Sequence, residues 1–436
     1  MNRNPNLLPI PGVTANELST PVVDLKWWKP KRKEFQSILT AQLNTNFVNE
    51  IHNISLNEHV LAHIDECIAQ NKPWDFQADI SYLTVNFIYF ACFSRSMKYN
   101  AEEQKQIEHF IRVCSKEAFR SFRLSIFGSL TKMLPTLLTD RLRPQFPLFR
   151  NFLESVIYKQ LNYDEAIWDY NDKKWQEHFL EIKNNKNQTH SAVSLLLAYH
   201  RFSDRESQAV YGTKPAILMQ LVVFYLAGVD TTRDTALYGL LLLAKQPDVQ
   251  ERIYEELVQV YGAEDATMEK QRFQDVVQKL HVLRAFVQEV IRISAVVGTG
   301  LPHYTTDEFV IDDYVIPKDC LIFANLKYCG IAEEYWRQKT AKLSEDKRLA
   351  NVVDVDLWLD ESKEFKLSLH RNKMVSFGVG PRDCAGKHLA LRSLHLIFAK
   401  MVMNYRMALP EQDKDVDIDE KRRLRAIVPL KMEKRK

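Results

Sequence analysis

The chain has 436 residues, 46% of them hydrophobic, with 59 Lys and Arg against 56 Asp and Glu and a formal net charge of +3. That is enough apolar material for a large core, and it excludes the global basic field that nucleic-acid binders use, so nucleic acid is not expected as a partner. No Gly/Ser- or Pro-rich linker and no tandem repeat divides the chain, which gives the expectation of a single domain over 1–436.

Apolar residues recur with helical rather than alternating period over most of the length. This predicts helices at roughly 30–45, 55–70, 79–95, 101–121, 147–161, 190–201, 214–245, 247–261 and 275–294. Residues 162–190, rich in Asp, Asn, Lys and Trp, read as an exposed helix-and-loop excursion. The segment 301–325 alternates around turns at Asp312-Asp313 and Pro317-Lys318 and reads as short strands. Helices at about 330–338 and 386–404, a charged loop at 410–422 and a final strand near 424–432 complete a mainly α fold with small β-sheets. The N-terminus has no apolar run of signal-peptide length. The longest uncharged apolar stretch, Pro215 to Val229, is fifteen residues and ends at Asp230. That is short of the ~20 that span a bilayer, so a buried helix is expected. Six cysteines, Cys67, Cys92, Cys114, Cys320, Cys329 and Cys384, lack paired or zinc-like spacing and read as reduced thiols facing a cytosolic compartment.

Three constellations carry chemistry. Phe377-Gly-Val-Gly-Pro-Arg-Asp-Cys384-Ala-Gly386 sets one cysteine between glycines and an arginine, and Leu389, Leu391, Leu394, Phe398, Met401 and Val402 follow at helical spacing. Cys384 therefore falls just before or within a first helical turn, where unpaired amides favour the thiolate that binds metal. Gly378, Gly380 and Gly386 lack side chains where a large planar ligand needs close backbone approach. Secondly, Ala227-Gly228-Val229-Asp230-Thr231-Thr232 interrupts the most apolar long helix with poor helix formers, Gly alone costing ~1 kcal/mol relative to Ala. Either function compensates, or this is a kinked core helix whose threonine hydroxyls bond back to the preceding turn. Thirdly, Glu289 and Arg292 lie three apart on one helix face, by themselves an ordinary ion pair.

Together these motifs resemble the haem-thiolate monooxygenases, the cytochromes P450. The family's cysteine loop reads Phe, any two, Gly, any, Arg, any, Cys, any, Gly, met here by Phe377, Gly380, Arg382, Cys384 and Gly386. The resemblance runs over 27–436 and is of the microsomal type. It implies a helical domain holding haem b (iron protoporphyrin IX) between a distal and a proximal helix, with Cys384 as the iron ligand. It further implies that Gly228 leaves a groove for dioxygen, Thr231 hydrogen-bonds the bound oxygen and Asp230 helps bring protons in. Glu289 and Arg292 would form a buried ion network behind the cysteine loop. Trp28 and Arg32, from the family's Trp, any three, Arg pattern, would hold the haem propionates with His303 and Arg382. Without haem, the same basic residues read as a solvated face. Phe224, Ala227, Val296, Val297 and Thr299 would line an apolar substrate pocket.

The activity implied is insertion of one oxygen atom from dioxygen into a hydrophobic small molecule. No phosphate loop, dinucleotide fingerprint, zincin helix or nucleophile elbow occurs, so electrons are expected from a partner; the resemblance implies that this is an NADPH-dependent flavoprotein reductase, docking near Arg32, Arg371, Lys373 and Lys387. Two alternatives are a non-catalytic haem carrier or sensor and a haem-thiolate isomerase or dehydratase; the presence of Asp230 and Thr231 argues against both. The resemblance places the protein on the cytosolic side of the endoplasmic reticulum membrane, although no anchor is present in this chain. Only 26 residues precede Trp27, so the usual anchor and first strands are expected to be lacking. Two departures stand out. Leu357, in Val355-Asp356-Leu357-Trp358, occupies the place of the arginine that usually completes the Glu289 network, for which Arg348 is a candidate substitute, and Ala295 stands where many members have proline.

Overall fold

The computed structural model of the chain describes residues 32, 36, 39, 53–93, 214–263, 268, 273–301, 303–336, 352–370, 373–418 and 428–435. They divide into two units, one of Met1–Phe47, Ile88–Gly228 and Pro302–Ile322, the other of Val48–Phe87, Val229–Leu301 and Phe323–Lys436. Most described residues are helical. In chain order a π-helical stretch Asn53–Leu61 leads into α1 (Ala62–Ala69), followed by α2 (Phe76–Phe93), α3 (Lys214–Lys245), α4 (Pro247–Tyr261) and α5 (His281–Ser294). The short helices α6 (Leu326–Ile331) and α7 (Glu333–Trp336) then precede α8 (Lys387–Asn404). No helix among the described residues is long and apolar enough to cross a membrane.

The second unit is built on α4, α5, α8 and the Val229–Lys245 part of α3. Helix α4 starts with Pro247 in its first turn, where a missing N–H costs nothing, and stops at Gly262, whose φ of 85° only glycine adopts freely. Its residues Val249, Ile253, Leu257 and Tyr261, spaced by four, are all buried. Helix α5 is capped from outside: the Glu256 carboxylate on α4 accepts the backbone N–H groups of Val282 (2.9 Å) and Leu283 (3.1 Å). At the other end Ala295 takes a left-handed conformation, φ 33°. Proline, fixed near −65°, has no access to it, which accounts for the alanine.

The Phe398 ring of α8 fills the space beside Gly239 of α3, where a Cβ would collide with it, and stacks edge-on against Phe286 of α5 at 5.2 Å. One aromatic side chain thus joins three helices, two turns beyond Thr231. An antiparallel pair, β5 (Tyr405–Ala408) and β6 (Lys431–Lys434), closes this unit, with Met407 opposite Met432. The described strands of the first unit are β1 (His303–Tyr304) paired with β4 (Leu321–Ile322), and the hairpin β2 (Phe309–Ile311) with β3 (Tyr314–Ile316).

Four sequence expectations need correction. The helix read over 275–294 is broken: a turn at Phe273–Val276 and a 3₁₀ turn at Val277–Lys279 end at Leu280, and α5 starts anew under the Glu256 cap. The helix expected at 330–338 begins earlier, at Leu326, because the Asn325 side chain accepts the N–H of Tyr328 at 3.0 Å and caps it. The final strand lies at 431–434 rather than 424–432, and its partner 405–408 was not foreseen. The helix read over 79–95 starts at Phe76 and ends at Phe93. The segments 101–121, 147–161, 162–190 and 190–201, together with Trp28, Arg348 and Arg371, lie outside the described residues.

Candidate functional site

Cys384 is exposed and outside any disulfide, and it sits three residues before the start of α8. The loop that presents it is a succession of tight turns. The N–H of Gly378 donates to Val375 O (2.7 Å), that of Asp383 to Gly380 O (3.1 Å), and that of Cys384 itself to Phe377 O (2.8 Å). Gly378 and Gly380 have φ of 73° and 72°, a region that penalises any side chain. Around Gly380 and Gly386 a Cβ would meet nothing within 4 Å among the described residues. The N-cap of α8 is Gly386, which has no side chain to cap the helix, and no acidic residue occupies its first turn. A thiolate in front of it therefore stands at the positive end of the helix dipole. The Lys387 ammonium lies 5.8 Å from the centre of the Phe377 ring. Arg382, half-buried, belongs to the 3₁₀ turn Gly380–Arg382.

Behind the loop, Glu289 and Arg292 have no exposed side-chain surface. The guanidinium grips the carboxylate with two bonds, Nε to Oε1 at 2.6 Å and Nη2 to Oε2 at 2.8 Å, and its Nη1 donates to Gly330 O at 2.7 Å. Two further donors complete the carboxylate: the Trp358 indole N–H to Oε1 at 2.8 Å and the Asp354 backbone N–H to Oε2 at 3.0 Å. Arg292 also stacks over Trp336 at 4.7 Å. Every lone pair that points inward is satisfied, which is what allows a buried charge pair to persist. Leu357 is buried, and its backbone carbonyl accepts from His370 Nε2 at 2.9 Å. Asp356 binds Arg252 of α4 through two bonds of 3.0 and 2.8 Å.

On α3, Val229, Thr232, Thr235 and Ala236 are buried, while Ala227 is exposed and Gly228, Asp230 and Thr231 are half-buried, so those four share the open side of the helix. Thr235 donates its hydroxyl to Thr231 O at 2.7 Å, the back-bonding expected of a core helix. Asp230 pairs with Arg233, one turn on, at 2.9 Å, and Arg233 in turn holds Asp234 at 2.8 Å. A Cβ on Gly228 would strike Ile88, so the residue also serves packing between α2 and α3, a role the sequence did not reveal. Phe224 lies in α3. Val296 and Val297 are half-buried and Thr299 exposed in the turn after α5. His303, in β1, and Arg32, helical, are half-buried residues of the first unit.

Sequence reasoning missed Trp358, His370, Tyr335 and Gly330. The aromatic residues carry a weak signal, three ring types within 335–370. Gly330 carries a better one, a glycine inside a helix, and its lack of a side chain admits the Arg292 backbone.

A family model described as Cytochrome P450 matches residues 22–433. The chain belongs to the cytochrome P450 family. This P450 is 32% identical to human Cytochrome P450 2U1 over 190 residues, 44% of the chain and 31% of that protein. It is 27% identical to mouse Cytochrome P450 2C38 over 277 residues, 63% of the chain and 51% of that protein. A third relative, Probable cytochrome P450 516B1 of Dictyostelium discoideum, is 23% identical over 403 residues, 90% of the chain and 73% of that protein. The chain thus spans about a third of the length of the 2U1 proteins it matches, 32% of the bovine one and 31% of the human one.

Members of the family hold haem b through a cysteine thiolate. The loop around Cys384 fits that group: the thiol is exposed, and no described residue lies within 4 Å of where a Cβ on Gly380 or Gly386 would stand.

Proposed function

We propose that this P450 is a haem-thiolate monooxygenase that inserts one oxygen atom from dioxygen into a hydrophobic small molecule, with electrons from an NADPH-dependent flavoprotein reductase. The supporting observation is the Cys384 loop, an exposed thiol ahead of a helix N-terminus whose N-cap is Gly386, with no described residue within 4 Å of where a Cβ on Gly380 or Gly386 would stand. Cys384 would hold the iron. Bound haem supplies the redox chemistry of oxygen activation, which no side chain provides.

The remaining work falls to the chain. Arg382, with Arg32, His303 and Trp28, would neutralise the propionates, and Phe377 and Gly386 would border the ring. Thr231 presents a hydroxyl from the open side of α3, and Asp230, on the same side, holds its carboxylate against Arg233 at 2.9 Å. On this reading Asp230 would serve proton delivery to the site beside Thr231. Phe224, Ala227, Val296, Val297 and Thr299 would enclose an apolar substrate and exclude water. Lys373, exposed, and Lys387 give the reductase a basic landing area. The reading takes the chain as one domain and places the protein at the endoplasmic reticulum membrane on its cytosolic face.

Turnover tests it. Consumption of dioxygen with formation of an oxygenated product is expected only when NADPH and reductase are both supplied, at a rate that falls as salt rises. Product formation from a peroxide without either would overturn the monooxygenase assignment.

A further inference from the structure

Glu289 is a fully buried carboxylate, and each of its oxygens already accepts two hydrogen bonds. Two of the four donors belong to Arg292 on the same helix. The other two, the Asp354 backbone N–H and the Trp358 indole N–H, come from one separate segment of chain, and of these the indole is the side-chain donor. That indole also meets the His370 ring edge-on at 5.2 Å and lies 6.3 Å from Trp336.

His370 is in turn locked from both sides. Its Nε2 donates to Leu357 O at 2.9 Å, since a carbonyl only accepts, and its Nδ1 pairs with the Tyr335 hydroxyl at 3.1 Å, which fixes the ring's orientation. The His370 carbonyl then accepts the N–H groups of Lys373 (2.9 Å) and Met374 (3.0 Å), the first residues of the stretch that turns at Val375–Gly378 and ends on Cys384. A continuous set of hydrogen bonds and ring contacts therefore runs from Glu289 through Trp358 and His370 to the base of the cysteine loop.

We propose that Trp358 is the positioning residue that couples Glu289 to the cysteine loop, its neutral indole donor standing in place of a second guanidinium at the neighbouring position 357. The network then carries one cation against one anion. Leu357 is apolar and buried, and all four hydrogen bonds that the Glu289 oxygens accept are made without it. The functional meaning of this coupling rests on the thiolate reading of Cys384; the hydrogen-bond geometry does not.

The test is a double-mutant cycle on the haem-loaded protein, with Trp358→Phe, Leu357→Arg and the two combined. Two quantities are read: the unfolding equilibrium constant in urea, and the share of haem giving the red-shifted Soret band of the reduced carbon-monoxide complex. Trp358→Phe keeps the ring but removes the N–H, and is expected to raise the unfolding constant on the order of ten- to a hundredfold and to lower the thiolate share. Leu357→Arg alone buries a cation without a partner and is expected to raise the constant at least about tenfold. Added to Trp358→Phe, the same arginine finds the vacated acceptor, lowers the constant and recovers the band.

That reversal of sign is something a purely packing role for Trp358 does not produce. An unfolding constant for Trp358→Phe within about twofold of wild type, or an arginine equally harmful in both backgrounds, overturns the proposal. Should Trp358→Phe fail to fold, the wild type itself decides. With ¹⁵N-tryptophan in the diamagnetic carbon-monoxide form, the Trp358 indole proton is expected to exchange at least about a hundredfold slower than an exposed indole, and exchange at the exposed rate overturns the proposal. The unfolding cycle reads the same whether or not the wild type shows a thiolate band, so failure of the monooxygenase reading and failure of this one are separate observations.

Discussion

Gly330→Ala isolates the closest helix contact behind the cysteine loop. A Cβ at Gly330 would lie against the carbonyl oxygen of Arg292 and 3.2 Å from its carbonyl carbon. Both are backbone atoms inside α5 and cannot rotate away, so α5 and α6 must part by about an ångström. Two bonds cross that seam, Arg292 Nη1 to Gly330 O at 2.7 Å and Lys327 Nζ to Ile293 O at 2.8 Å. Overpacking costs ~1–3 kcal/mol. A lost charge-assisted bond adds ~1.5–3 kcal/mol. The better helix propensity of alanine offsets ~1 kcal/mol. The expected loss is about 1.5–5 kcal/mol. Urea unfolding followed by tryptophan fluorescence reads it directly, since Trp336 stacks on Arg292 at the seam. A loss under about 1 kcal/mol would show that the seam yields freely and refute the reasoning.

Other expectations follow from the same contacts. At Gly239 a Cβ meets the Phe398 ring that joins three helices, whereas at Gly228 it meets only the flexible end of Ile88. Gly239→Ala should therefore destabilise by ~1–3 kcal/mol and Gly228→Ala by well under ~1 kcal/mol, measured by urea midpoints; the opposite order contradicts the packing described. His395 is buried, and its Nε2 has no hydrogen-bond partner among the described residues. Burial, then the Arg284 charge, pushes its ring from an ordinary 6.5 down to about 3. The unfolded chain thus takes the proton first, and stability that is full above 6.5 falls as the pH drops toward 3, by about 1.4 kcal/mol per pH unit from this group. His395→Leu should flatten the urea midpoint between about pH 7 and pH 5 relative to wild type, and parallel profiles would contradict it.

How much the sequence reveals depends on how local the cause is. The ends of α3 and α4 fall at 214–245 and 247–261, where the sequence places them, because Pro247 and Gly262 are signals carried by the boundary itself. The start of α5 is invisible to such reading, since its cap, Glu256, is 26 residues from the Val282 N–H it accepts. Strand β5 follows α8 without an intervening turn, and Asn404, the last residue of the helix, is a weak mark of the change of period that sequence reading passed over. Leu357 is the clearest case. A comparison by position sees a missing arginine, whereas the carboxylate of Glu289 requires only a donor at the right point in space, and the adjacent Trp358 supplies it at 2.8 Å. The cysteine loop was legible because its glycines, arginine and thiol lie within ten residues and each is demanded by backbone geometry or charge. The pairing of Asp230 with Arg233 was not foreseen.

The central claim is that Cys384 provides a thiolate to haem iron, and the absorption spectrum of the reduced carbon-monoxide complex tests it most directly. The wild type is expected to show the red-shifted Soret band that thiolate ligation gives, and Cys384→Ser to abolish it while urea unfolding still reports a folded chain. A band that survives the substitution unchanged would contradict the account.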